Sequence, residues 1–289
     1  MDVLVTTINL AAIYGLIGVG ISLTWAGLGF LNLAHGVTFG AAGYGAWWAS
    51  QNISDSSAVV LLAGIFVGAL AGMIICVVVF LPLDGRINWD TRSMIATLAL
   101  SIIGTNVFLE VFGPQNKQLP LVFGSDRFRI GETVITADKS GAIISSAVVM
   151  VLLVLALVGT RMGLGVRAMT QNKEGAALVG ISRKQAAFAI LAVSGLLAGF
   201  AAVLLSQVFY VSPNAGFAPL VKGLIVALLG GLGSIPGTVI AAILVGATEA
   251  LTARYLDQSY VLLTLFALIA IVLIVRPRGV AGILETSRA

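Results

Sequence analysis

The amino-acid sequence predicts an all-α polytopic membrane protein with about eight or nine transmembrane helices. Of its 289 residues, 59% are hydrophobic and only 10% are charged, whereas a soluble domain carries roughly 25% charged residues. The mean hydropathy is +1.07, and long stretches lack Asp, Glu, Lys and Arg altogether. This composition excludes an ordinary water-soluble enzyme, and 16 Lys and Arg are too few to line a groove for nucleic acid.

The charge-free runs give the positions of the helices, because about 20 apolar helical residues cross a hydrocarbon core about 30 Å thick. The first run, 3–54, has room for two helices. The later runs are 56–83, 93–109, 140–160, 185–221, 223–248 and 258–275. We expect the turn Gly233–Gly237, which contains Pro236, to split 223–251 into two short helices. Residues 1–289 then form a single membrane domain.

The basic residues predict the orientation, because Lys and Arg next to membrane helices are retained in the cytoplasm. Segment 161–184 has five of them against one acid, Glu174, and the tail is basic too. The N-terminus carries only Asp2 and is expected outside, so the number of crossings is odd, which favours nine. No basic n-region precedes the first helix, so we expect that helix to be kept as a span.

The largest extracytoplasmic loop on this topology is 113–139. Its segments 119–123 and 128–135 alternate apolar and polar residues around a Gly-Ser-Asp-Arg stretch, which predicts a short hairpin. This loop either meets an outside partner or simply covers the helix ends.

Glycine is abundant, at 34 of 289 residues, and recurs every four residues in several helices. In lipid, small residues allow the close backbone approach that holds helices together. The spacing therefore predicts either tight static packing or smooth surfaces on which helices slide. The ridges are Gly64, Gly68 and Gly72; Gly36 and Gly40; and Gly195 and Gly199.

Polar residues inside the apolar runs are candidates for the solute pathway. Asn32, His35 and Thr38 interrupt the first run, and helical spacing brings them towards one face, where they can offer an amide and an imidazole to a cavity. The alternative for His35 is a hydrogen bond that ties two helices together. Asn106 and Glu110 are a second candidate set, near the outer end of the fourth span, although a solvated helix end explains Glu110 equally well.

Other polar residues are explained without a function. A local ion pair with Arg254 accounts for Glu249, and Cys76 is expected to be a small buried hydrophobe. One Cys and one His exclude an internal disulfide and clustered metal ligands. We therefore predict no catalytic and no metal-binding residues.

Segment 161–184 is the most informative part of the sequence. Helix formers from Ala168 to Val179 end at Gly180, a typical helix stop, so we predict a short cytoplasmic helix. It contains Glu174-Gly175-Ala176-Ala177-Leu178-Val179-Gly180. This spacing resembles the coupling motif of permease subunits of ATP-binding-cassette (ABC) importers, Glu-Ala-Ala, three residues, Gly, with Gly175 in place of one Ala.

Four further stretches strengthen that resemblance. They are Phe30-Leu31-Asn32-Leu33-Ala34-His35-Gly36, Arg167-Ala168 ahead of Ala177-Leu178-Val179-Gly180-Ile181, Gly230-Gly231-Leu232-Gly233-Ser234-Ile235-Pro236-Gly237, and Arg276-Pro277-Arg278-Gly279. Together they resemble the LivH-like permease subunits of branched-chain amino acid ABC importers over nearly the whole chain.

The resemblance implies a multi-pass subunit of the bacterial inner membrane that works with two ATPase subunits, a second permease subunit and an extracytoplasmic solute-binding protein. No Lys follows a Gly, so this chain has no Gly-Lys-Ser/Thr phosphate loop. We therefore expect no enzyme activity and no cofactor in the chain itself, with ATP acting on the partners. Coupling is assigned to Ala176, Ala177 and Gly180 as a low-relief surface beside Gly175, with Arg167 and Glu174 fixing its register.

Three alternatives remain at this stage. Urea or short amides are the alternative cargo within the same kind of importer. An ion-coupled secondary transporter or channel would place charged groups at the bilayer midplane, where we expect neither Glu110 nor Glu249. An integral-membrane enzyme would require a cluster of catalytic polar groups.

Overall fold

The computed structural model describes residues 2–130, 133–208 and 210–281. Within these ranges the protein is a helical bundle, and the all-α polytopic class is confirmed. Seven helices are long and apolar enough to cross a membrane, and Phe217–Gly230 is a shorter apolar helix. The helices are α1 Asp2–Leu28, α2 His35–Asn52, α3 Ser57–Ile75, α4 Leu81–Leu83, α5 Trp89–Phe112, α6 Ala137–Gly159, α7 Arg161–Gln171, α8 Lys173–Leu178, α9 Arg183–Ser206, α10 Phe217–Gly230, α11 Ile235–Tyr255 and α12 Val261–Val275.

Two short non-α turns interrupt this series. A π-helical turn, Cys76–Phe80, joins α3 to α4, so that Ser57–Leu83 is continuous, and a 3₁₀ turn, Gln258–Tyr260, precedes α12. Cys76 itself is buried, as expected.

The bundle has two ends, which we call the α7–α8 end and the hairpin end. At the α7–α8 end, Arg183 contacts Asp84 at 3.0 Å, and Val280 donates its N–H to the carbonyl of Leu229 at 2.7 Å. At the hairpin end, the N–H of Val122 donates to Oε1 of Gln207 at 3.0 Å. Helix α1 contacts β2 and runs past Gly27, which lies beside Thr170 of α7, whereas residues 276–281 lie at the α7–α8 end.

The loop 113–139 contains a hairpin, but not the expected one. The antiparallel strands are β1, Arg127–Ile130, and β2, Thr133–Thr136, so both lie in or beside the second predicted segment. Segment 119–123 forms no strand. Instead, Leu119 and Val122 are buried against the helices, and this burial explains their apolar character without strand pairing.

The glycine ridges of α3 and α9 pack directly onto each other. Gly64 and Gly68 meet Gly199, and Gly68 and Gly72 meet Gly195, in each case backbone against backbone. Because Gly68, Gly72, Gly195 and Gly199 bring backbone atoms into contact, the two antiparallel helices approach closely there. Helices α3 and α9 are therefore expected to move as one body.

Burial separates inner from outer helices. Most residues of the spans in α1 and α9 are buried inside the bundle, whereas few are in α5, α6 and α12. The outer helices expose apolar side chains along their length, as surfaces against lipid or a partner subunit must.

The run 223–251 is divided as expected. Helix α10 ends at Gly230 and α11 begins at Ile235, and the Oγ of Ser234 accepts the N–H of Gly237 at 3.1 Å to cap α11. The tail closes over this turn, because Val280 and Ala281 donate their N–H groups to the last carbonyls of α10. The turn at 230–237 and the ending at 276–279 are thus one packed unit.

Candidate functional site: the α7–α8 segment and the cavities at the hairpin end

The predicted cytoplasmic helix is two helices rather than one. Helix α7 ends at Gln171, and the backbone of Asn172 is extended. Oδ1 of Asn172 accepts the N–H of Gly175 at 2.8 Å. An Asn side chain that satisfies a free N–H in this way starts a new helix. The prediction of a continuous helix over 168–179 is therefore wrong, because Asn172 caps α8 and breaks the chain direction.

The end of α8 follows the prediction for Gly180. This residue has φ +84°, and the N–H of Ile181 donates to the carbonyl of Ala176 while that of Gly180 donates to Ala177. Such a pair of bonds is the Schellman motif, in which glycine accepts the left-handed conformation at least cost. The segment turns sharply here towards α9.

The surface of α8 differs from the expected one. Ala176 is only 4% exposed and packs with Met169 and Ala186, so it anchors α8 and presents nothing to a partner. The most exposed apolar residues of the α7–α8 segment are Leu178, at 89%, and Val179, at 76%. Ala177 is exposed beside them.

The two charged residues expected to fix the register lie apart. Arg167 reaches the carbonyl of Val158 at the end of α6, at 3.5 Å, and within the described ranges no ion pair joins it to Glu174. Glu174 is exposed in the first turn of α8, where an acid interacts favourably with the helix N-terminus.

Arg183 ties this segment to the bundle, and the sequence reading assigned it no role beyond its charge. Its guanidinium binds Asp84 at 3.0 Å and lies 4.8 Å from the ring centre of Trp89 and 5.8 Å from that of Phe80. A planar cation that both pairs with a carboxylate and stacks on rings holds its neighbours in a fixed geometry. Arg183 therefore connects the start of α9 to α4 and α5.

Asn32 and Thr38 use their polar atoms locally. Oδ1 of Asn32 accepts the N–H of Ala34 at 3.1 Å, and the hydroxyl of Thr38 donates to the carbonyl of Ala34 at 3.1 Å. Both side chains are buried. They shape the start of α2, and neither lines the two cavities at the hairpin end.

His35 forms the interhelical contact considered above. Its Nδ1 lies 3.4 Å from Oγ of Ser194, which donates to the carbonyl of Gly20 at 2.9 Å. The imidazole is buried, and within the described residues Nε2 has no hydrogen-bond partner. His35 thus links α1, α2 and α9.

Asn106, but not Glu110, reaches a cavity. A space of about 490 Å³ at the hairpin end lies between α5 and the loop before α10, and Asn106 is part of its lining. The amide nitrogen of Asn106 donates to the carbonyl of Ile102 at 2.8 Å, which leaves its oxygen for another partner. Glu110 is exposed outside this lining.

A buried ion pair, missed from the sequence, lies between α10 and α11. Nζ of Lys222 donates to Oε1 of Glu249 at 2.7 Å and to Oη of Tyr14 at 2.9 Å, and Tyr14 donates to the same carboxylate oxygen at 3.1 Å. Lys222 is 9% exposed and Glu249 2%. The expectation of a local pair between Glu249 and Arg254 is wrong, because Glu249 points into the bundle.

A signal for this pair was present in the sequence. Lys222 is the one charged residue in the sequence from 185 to 248, and a lone charge in a span requires a buried partner. Division of the chain into the runs 185–221 and 223–248 places Lys222 at a boundary and hides this requirement. Glu249 and Lys222 are buried inside the bundle, so the expected position of Glu249 near a span end does not exclude an ion-coupled transporter.

Lys222 and Tyr14 line a second cavity, of about 380 Å³. Its other walls come from the end of α9, the loop at 210–215, the first turn of α10 and the start of α12. Because Tyr210 and Gln258 belong to connections at the hairpin end, the cavity opens at that end, opposite α7 and α8.

Comparisons with known proteins agree with this architecture. The chain is 29% identical over 95% of its length to the high-affinity branched-chain amino acid transport system permease protein LivH of Escherichia coli and of Salmonella typhimurium, covering 93% of each. It is 28% identical to the corresponding permease protein BraD of Pseudomonas aeruginosa, covering 96% of this chain and 94% of that protein.

A solved structure shares the fold. It is described as PsaBC from Streptococcus pneumoniae in complex with Fab, and the match has a TM-score of 0.53 at 14% identity over 96% of this chain and 91% of that one. Residues 3–275 also match the family described as branched-chain amino acid transport system / permease component. Since this match spans nearly the whole bundle, the chain belongs to that family of transport permeases.

Proposed function

We propose that this protein is the membrane-spanning permease subunit of an ABC importer for branched-chain or related small amino acids. The observation that carries the proposal is the α7–α8 segment. It exposes Leu178 and Val179 to a partner, while Arg183 and the buried Ala176 fasten it to the bundle. An element built in this way can receive a force from outside and pass it inwards.

Two partner ATPase subunits supply that force in the proposed complex, and ATP acts on them rather than on this chain. Displacement of α8 by an ATPase moves α9, which follows after a four-residue connection. The backbone contact of Gly195 and Gly199 with α3 then carries α3 along. Gly175, Ala177 and Gly180 shape the docking surface, with Arg167 and Glu174 beside it.

The α7–α8 end faces the cytoplasm in this proposal, because segment 161–184 holds five Lys and Arg against one acid and positive segments stay inside. The N-terminus and the two cavities then face outwards, where an extracytoplasmic binding protein delivers the solute. A second permease subunit, related or identical, completes the pore across the exposed outer helices. The complex belongs in the bacterial inner membrane.

Co-purification of the ATPase subunits with the wild-type chain and with Leu178→Asp tests the docking surface. Leu178 is almost fully exposed, so the substitution leaves the bundle intact, while a buried carboxylate in the interface removes binding. Leu256→Asp is the matched control, because Leu256 is also exposed but lies at the hairpin end. Equal ATPase recovery with both variants would show that α8 is not the docking surface.

Uptake by the reconstituted complex tests the cargo. With ATP and the binding protein, we expect accumulation of labelled leucine and not of urea or short amides. Accumulation of urea without leucine would contradict the assigned cargo, and uphill uptake by the purified chain without ATPase subunits would contradict the whole proposal.

A further inference from the structure

We propose that Lys222 and the first turn of α10 form a binding site for the carboxylate of the solute, in the cavity of about 380 Å³ at the hairpin end. This inference rests on the proposed function, since it assumes a cargo that carries a carboxylate. It goes further by naming the residues that recognise it.

The ammonium group of Lys222 has a donor to spare. A protonated lysine offers three N–H donors, and two of them go to Tyr14 and Glu249. Lys222 also lines the cavity, so its third donor is available to a ligand there. A carboxylate oxygen is the strongest acceptor such a donor can find.

Glu249 keeps Lys222 in place without closing the site. It holds Nζ through Oε1 alone, from the α11 side, and it does not line the cavity. Glu249 and Tyr14 are therefore positioning residues, whereas Lys222 contacts the solute.

The start of α10 adds a second attraction for an anion. Ala218, Pro219 and Lys222 of α10 line the cavity, with Ala215 in the turn before them, and the spacing of the three helical residues places them on one face of the helix. In this turn the N–H of Phe217 donates to the carbonyl of Asn214 and Pro219 has no N–H, so the partial positive charge of the helix start is offered through the N–H of Ala218. Gly216 packs against the backbone of Gly36 at this point, so the turn starts within the bundle.

The rest of the cavity fits a small amphoteric solute with an aliphatic side chain. Leu205, Val261 and Leu262 form apolar walls, and Ser212 and Asn214 offer oxygens to an ammonium group. A volume of about 380 Å³ lies within the usual range for small-molecule pockets, about 300–1,000 Å³.

The main test places a competing carboxylate in the site. Ala218 is exposed and precedes Lys222 by four residues, so the side chain of Ala218→Asp can reach the ammonium group. An acid in the first turn of a helix is tolerated. Ala218→Asn has the same shape without the charge and is the matched control. Both are introduced into the complete complex in proteoliposomes, with ATP and the binding protein.

We expect Ala218→Asp to lower the rate of labelled leucine uptake by about tenfold or more, since a hydrogen bond to a charged group is worth roughly that factor. Ala218→Asn is expected to retain most of the wild-type rate. Uptake that is equal in the two variants overturns the inference.

A second pair of variants separates recognition from stability. Lys222→Met alone leaves Glu249 buried without its partner and destabilises the bundle, whereas Lys222→Met with Glu249→Gln removes both charges. We expect the double variant to melt near the wild-type temperature and still import leucine about tenfold more slowly or worse. Thr238→Val is the control, because it removes another polar contact between α1 and α11.

The outcomes distinguish the two proposals. Wild-type import of leucine with an equally active double variant overturns the carboxylate site alone. A wild-type complex that accumulates no amino acid refutes the proposed function, and the carboxylate site falls with it.

Discussion

The contact between α3 and α9 gives a prediction whose magnitude can be worked out. In Gly68→Ala, the new methyl carbon would lie 2.8 Å from Cα of Gly199 and closer still to the carbonyl oxygen of Gly195. Carbon atoms pack best at about 3.5–4.0 Å, so the helices must separate by on the order of 1 Å. Overpacking of this kind costs about 1–3 kcal/mol, against about 1 kcal/mol gained from the helix propensity of Ala.

We therefore expect Gly68→Ala to lower the free energy of unfolding by up to about 2 kcal/mol, and to make the protein less stable than the control variant described next. Gly15→Ala is the control, because the added methyl group would lie 3.6 Å from its nearest neighbour, Cβ of Ala242, an ordinary contact. The assay is thermal unfolding of the purified complex, followed by tryptophan fluorescence. Equal melting temperatures for the two variants would refute the reasoning.

The reciprocal substitution sharpens this test. Gly199 faces Gly64 and Gly68, so once Gly68→Ala has pushed the helices apart, Gly199→Ala finds more room. The double variant should lose less stability than the sum of the single losses, since substitutions in contact are not additive. Strict additivity would mean that the two glycines do not share one interface.

Three further predictions concern the α7–α8 end. Gly180→Ala should destabilise the end of α8 by about 1–2 kcal/mol, because Gly180 has a φ of +84°. Fewer solute molecules should then be imported per ATP hydrolysed. An unchanged ratio of solute to ATP would contradict the role of this turn. Arg183→Met should lower the same ratio more than Arg183→Lys, which keeps the charge but loses the stacking on Trp89, and equal ratios would exclude a linking role. Gly279→Val should expose the turn at 231–234 to limited proteolysis, because Gly279 has φ +77° and packs against Gly231 of that turn. Cleavage at the wild-type rate would show that the tail does not protect the turn.

Local sequence patterns were sufficient for much of this architecture. Apolar runs and the turn at 233–237 gave the helices and the division between α10 and α11, because both depend on near neighbours in the chain. Gly180 was recognised as a helix stop for the same reason. The four-residue glycine spacing identified the contacting faces of α3 and α9, although it did not say that they contact each other.

The predictions that failed concern residue patterns that two different structures can produce. Alternation in 119–123 resembled a strand, yet Leu119 and Val122 are apolar because the bundle covers them. Ala176 resembled a surface residue of the coupling motif, yet it is the buried anchor of α8. Asn172 was read as part of a helix, although Asn at such a position is also a cap.

The sequence by itself determined that the chain is an all-α polytopic membrane protein, which apolar runs form its long helices, and which segment lies between α6 and α9. Only the tertiary structure brought Lys222 to Glu249 and Tyr14, residues 27 and 208 positions away, and placed them beside a cavity. Helix periodicity tells which residues share a face, but the partner of that face is chosen by packing among all the helices. The charged group most suited to hold a solute therefore became evident only when the bundle was assembled.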